Sequence, residues 1–141
     1  MWKMLFAMGL LVVLPVGYAT AGTSHRDTSG VSDPGRQAEA ALSSAEDSFD
    51  AAREAYDKGN VDKGDEALEQ MTKNLDVCVG LLQTAHKARF YKKAELRVAM
   101  LQRRMTGLLD DIALQQRGWA EQTNRKLDEI HDKLLAGVMS K

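Results

Sequence analysis

After Pro34 the chain runs for 107 residues without another proline. Over that stretch Ala, Leu, Glu, Lys, Gln, Arg and Met dominate and β-branched residues are sparse, a composition that favours helix over strand. Proline removes a backbone donor and clashes with the preceding turn, so its absence leaves long helices unbroken. Asp33-Pro34 marks their start, an N-cap residue followed by a proline at the first helical position.

The apolar spacing places the helices. From Pro34 to Lys58 the seam reads Ala38, Leu42, Ala45, Phe49, Ala52 and Tyr56, in the steps of four and three that put one stripe on a helix and recur in coiled coils. Gly59-Asn60 ends it, because glycine readily takes the left-handed conformation of a helix C-terminus. A second seam follows with Gly64, Leu68, Met71, Leu75, Cys78, Leu82 and Ala85, and a third with Ala94, Val98, Leu101, Met105, Leu108 and Ile112. Gly118 punctuates before a fourth of Thr123, Leu127, Ile130, Leu134 and Val138.

Neither glycine nor proline separates the second seam from the third, so one long rod competes with two helices. Phase decides. Continuing the second seam lands on Arg89, Lys92, Leu96, Ala99 and Arg103, three of them charged, so the stripe changes face near His86 to Phe90 and a turn is predicted there. Residues 33–141 are therefore expected to form an all-α, antiparallel up-down bundle of four helices. A three-helix packing with one frayed arm is the alternative.

Ala55-Tyr56, Gly59-Asn60, Gly64, Leu68 and Met71 together resemble the turn of a tetratricopeptide helical hairpin, over about 17 residues. That resemblance implies a tightly packed helix pair. The repeat itself is absent, since 34 positions beyond Gly59 and Gly64 stand Lys93 and Val98.

Residues 1–21 read as a separate object. Met1-Trp2-Lys3 is a short positive start, Met4 to Val16 are apolar or small, and Ala19-Thr20-Ala21 is an A-x-A cleavage site, the three parts of a secretory signal peptide. Periplasmic or secreted localisation follows as the expectation, with no transmembrane segment after cleavage; an uncleaved anchor is the competing reading. Residues 22–32 have the polar, small composition of a flexible linker.

The near-neutral total, a formal net charge of −1, rules out a polybasic nucleic-acid binder as a description of the whole chain. The charge is nevertheless divided. Residues 27–76 hold 13 acids and 5 bases, whereas residues 86–104 hold Lys87, Arg89, Lys92, Lys93, Arg97, Arg103 and Arg104 against Glu95 alone. Those seven cations are the candidate surface for an anionic partner, a protein or a component of the cell envelope, with Phe90 and Tyr91 as aromatic contacts. The competing account is structural: a basic third helix neutralised by acidic neighbours.

Catalytic machinery is hard to assemble. His25 lies in the linker, His86 near a turn and His131 on the edge of the fourth stripe, and no local pattern gives a nucleophile with a base and an orienting group. Asp128-x-x-His131 has metal-like spacing, but bundle metal sites use two such pairs. C-x-x-C-H is absent, so covalent haem attachment is excluded, and no Gly-rich loop offers a nucleotide site. Gly80 and Gly107 are expected at close helix approaches. Cys78, flanked by Val77 and Val79, reads as a small buried hydrophobe rather than a nucleophile. No cofactor is expected. The resulting expectation is an exported, non-enzymatic bundle that acts through surface interaction; a bundle holding a small ligand, haem or metal between its helices is the alternative.

Overall fold

The computed structural model describes residues 33–140, so the predicted signal peptide and linker lie outside the described residues. Four helices follow one another: α1 (Pro34–Asp57), α2 (Val61–Ala85), α3 (Ala88–Asp111) and α4 (Gly118–Met139). A single 3-10 turn, Leu114–Gln116, precedes α4, and no strand occurs among the described residues.

Local chemistry sets each end. The Asp33 carboxylate accepts the Gly35 N–H at 3.0 Å, with Pro34 at the first helical position, as the sequence predicts. Gly59 closes α1 at φ +76°, and the Asn60 side chain accepts the Lys63 N–H at 3.2 Å to open α2. The α2–α3 break falls within the predicted window, at His86, which takes the left-handed φ of +50° without being glycine. After α3 the Arg117 Nε donates to the Ile112 carbonyl at 2.9 Å and holds the connection to α4.

Two antiparallel hairpins, α1–α2 and α3–α4, lie side by side, α1 against α3 and α2 against α4. Cross-helix partners give the register: Tyr56 with Asp65 between α1 and α2, and Glu95 with His131 between α3 and α4. Glu39, Glu46 and Asp50 meet Lys93, Arg97 and Arg104 in the same order, so α1 runs parallel to α3, and the antiparallel hairpins then set α2 parallel to α4, with Lys126 beside Asp76. The two helices without a glycine between them, α2 and α3, are thus diagonal.

The core is built from the four seams. Leu42, Phe49, Leu68, Met71, Leu75, Leu82, Val98, Leu101, Met105, Leu127, Ile130 and Leu134 are all essentially inaccessible to solvent. Full burial of each such side chain contributes about 1.5–3 kcal/mol. Tyr56, Ala85 and Val138, at the ends of their seams, are only half-buried.

The glycines correct the sequence reading. Gly80 and Gly107 sit on outer helix faces with open space where a Cβ would stand, so neither marks a close helix approach. Gly35, Gly64 and Gly137 do: Phe90, Tyr56 and Tyr91 respectively lay their rings where a Cβ would project. Each ring comes from a neighbouring helix.

Candidate functional site

The seven candidate cations divide by the side of α3 on which they stand. Lys93, Arg97 and Arg104 face α1. Lys93 Nζ donates to Glu39 Oε1 at 2.7 Å, and Arg97 grips Glu46 with two bonds, Nε to Oε1 at 2.9 Å and Nη2 to Oε2 at 2.5 Å. Nη2 of Arg97 also donates to Ser43 Oγ at 3.0 Å. Arg104 pairs with Asp50, its guanidinium lying over the Phe49 ring, 4.6 Å from the centroid. The acids ascend α1 as the bases ascend α3, so parallel packing turns two charge patterns into one ladder.

Arg97 is the best-held member. Its two-pronged hydrogen bond to Glu46 raises an already high pKa, with partial burial opposing the rise. The more exposed pairs contribute roughly 0–1 kcal/mol each.

Lys87, Arg89, Lys92 and Arg103 are left on the exposed side of α3. Arg89 lies over the Phe90 ring at 4.7 Å from its centroid, and Lys87, Lys92 and Arg103 make no ion pair with another described residue. Between Lys92 and Arg103 stand Leu96 and Met100, 57% and 60% exposed. Steps of three and four put Arg89, Lys92, Leu96, Met100 and Arg103 on a single face. No acid interrupts it.

Phe90 is not the surface aromatic that the sequence suggests. It is buried against Gly35, and Tyr91 is half-buried against Gly137, because both point between helices. Leu96 and Met100 supply the exposed apolar character instead. Their signal was present in the sequence: Leu96 is among the positions where the second seam loses phase.

The remaining chemical groups are separated. His131 Nε2 bonds Glu95 Oε1 at 2.7 Å, whereas Asp128 Oδ1 accepts from Gln102 Nε2 at 2.7 Å, so the spaced pair turns to two different partners. No cluster of three His, Cys, Asp or Glu side chains suited to a metal occurs among the described residues. His86 is exposed in its turn, and His25 lies outside the described residues. Cys78 is buried, and that burial pushes its thiol up to about 11.

Little free space is left where α1, α2 and α3 meet. The void bounded by Ala38, Leu42, Cys78, Leu82, Phe90 and Ala94 measures about 10 Å³. Larger hollows are open grooves: one of about 680 Å³ on the α1–α2 face, floored by Ala51, Ala55 and Ala67, one of about 420 Å³ beside Trp119 between α2 and α4, one of about 390 Å³ lined by Arg36, Arg89 and Lys93, and one of about 350 Å³ beside Tyr91 and Gly137. No described helix is long and apolar enough to cross a membrane. The chain matches no protein-family model, no curated protein and no solved structure.

Proposed function

We propose that this chain is an exported helical protein without catalytic activity, which works in the periplasm or outside the cell by presenting the outer face of α3 to an anionic component of the envelope. The observation that carries the reading is the division of the cations. Lys93, Arg97 and Arg104 pair with acids of α1, while Lys87, Arg89, Lys92 and Arg103 are exposed and form no ion pair with another described residue. The packing where α1, α2 and α3 meet supports action at the surface, since the void there, about 10 Å³, is too small for a ligand.

The charge asymmetry orients such an encounter. Acids outnumber bases in the α1–α2 hairpin, and α2, diagonal to α3, exposes Asp62, Glu66, Glu69 and Asp76. An anionic surface attracts the α3 side and repels the opposite one, although the whole molecule is almost neutral.

Sedimentation with isolated cell envelopes tests the proposal. The protein is expected to pellet at low ionic strength and to be released as salt rises, because exposed charge attraction is screened over about 8 Å at physiological ionic strength. Replacing Lys87, Arg89, Lys92 and Arg103 with Gln should weaken pelleting and leave helicity intact. Pelleting that ignores both salt and the substitutions would remove the basis for the reading.

A further inference from the structure

We infer that the anionic component is a lipid surface, on which α3 lies in the headgroup plane with Leu96 and Met100 pressed between the lipids. This deepens the proposed function and rests on it. The face mixes two chemistries along one stripe: exposed cations at Arg89, Lys92 and Arg103, and two apolar side chains between them, each more than half exposed. A soluble polyanion satisfies the cations and leaves Leu96 and Met100 in water. A bilayer takes both, because its anionic headgroups lie directly above hydrocarbon.

Shape points the same way. The stripe from Arg89 to Arg103 is the convex ridge of a single helix, about 21 Å long at 1.5 Å per residue. Arg89 lines a hollow of about 390 Å³ at the N-terminal end of the ridge, but Lys92, Leu96, Met100 and Arg103 line neither that hollow nor the grooves on the α1–α2 and α2–α4 faces, so the mixed part of the stripe stands as a convex surface. A fluid headgroup layer conforms to a ridge without needing a receptacle. Leu135, one heptad beyond Asp128 on the α4 rim that reaches α3, is 41% exposed and widens the apolar contact. A second copy meeting the same face would set cations against cations, since the stripe holds no acid.

Three probes test the inference with the chain as processed by the expressing cell: phosphatidylglycerol-rich vesicles, pure phosphatidylcholine vesicles, and soluble dextran sulfate. Two variants accompany them, Lys92→Gln with Arg103→Gln, and Leu96→Ser with Met100→Ser, each verified by circular dichroism. All four positions are exposed, so both variants should fold. Binding to the phosphatidylglycerol vesicles should exceed binding to phosphatidylcholine. The charge variant should weaken it roughly 25-fold, about fivefold per cation, which corresponds to about 1 kcal/mol each near an anionic surface. The serine variant should weaken vesicle binding about tenfold or more and leave dextran sulfate binding unchanged.

Vesicle binding insensitive to Leu96 and Met100, or dextran sulfate binding without vesicle binding, would overturn the lipid assignment and leave the anionic-partner reading standing. Equal binding to both vesicle types would overturn it as well, as would self-association abolished by either variant in analytical ultracentrifugation. Failure to bind any of the three anionic or lipid probes would overturn both readings together.

Discussion

Gly64, in the first turn of α2, and Gly107, near the end of α3, are the same residue within two helices, yet their surroundings require opposite responses to an added methyl group. At Gly64 a Cβ would stand 2.6 Å from the Tyr56 ring, and that ring is tethered through its hydroxyl, which donates to Asp65. Gly64→Ala should therefore destabilise the bundle by about 1–3 kcal/mol in chemical denaturation, the usual cost of overpacking. Gly107→Ala meets open space and should stabilise it by about 0.5–1 kcal/mol, since alanine loses less backbone freedom in a helix. Cys78 offers a pH-dependent counterpart. Its thiol is raised from 9.0 to about 11 in the folded chain, chiefly by burial, with Arg97 opposing. Below pH 9 both states hold the proton; between 9 and 11 the unfolded chain releases it first, so stability falls as pH rises through that window. Denaturation of wild type and Cys78→Ala across this range should show the wild type losing about 2–3 kcal/mol more than the variant by pH 11. A thiol reagent should label Cys78 only as fast as the bundle opens.

At the scale of elements, the helices are held by seams and separated by turns, and both are open to substitution. Leu75 lies mid-seam in α2 and Leu101 mid-seam in α3, each fully buried, so truncation of either to alanine should cost about 2–5 kcal/mol. Gln83, exposed one residue beyond Leu82, should tolerate alanine with almost no change. Equal small effects at all three positions would mean that the seams are not packed. The α2–α3 turn holds His86 at a φ that L-residues adopt at a cost. His86→Gly should therefore raise the unfolding free energy by about 0.5–1 kcal/mol in chemical denaturation, without changing helix content. No such gain is expected at Gly59, where glycine already occupies the left-handed position.

At the scale of the whole molecule, the described residues form two hairpins joined by their long apolar faces and, along one edge, by the α1–α3 ladder. Double-mutant cycles on Glu46 and Arg97 should give a coupling of about 1 kcal/mol or more, larger than for Glu39 and Lys93, because the first pair is two-pronged and less exposed. Raising salt should weaken the second coupling more than the first. Since Lys92 and Arg103 have no such partners, their neutralisation should leave the unfolding free energy within about 0.5 kcal/mol of wild type. The same charge type thus pairs with acids of α1 on one side of α3 and stands without an acid partner among the described residues on the other.

Helix content, the start at Asp33 and the four apolar seams were legible in the sequence because they depend on propensity, capping and a period of three to four residues, all of which are local. The turn at His86 was legible only through phase, since no glycine or proline announces it. The roles of the glycines and of the α3 cations were not. Gly35 becomes a contact point because Phe90, 55 residues on, packs across it, and Gly80 remains open because no helix lies above it. Likewise the seven cations form one continuous run in the chain. Only the parallel packing of α1 on α3 divides them, because an ion pair needs its partner within about 4 Å and the acids that capture Lys93, Arg97 and Arg104 lie more than 50 residues away in sequence. Periodicity determined which residues turn inward, and tertiary packing decided which of the outward-facing charges found an acid partner.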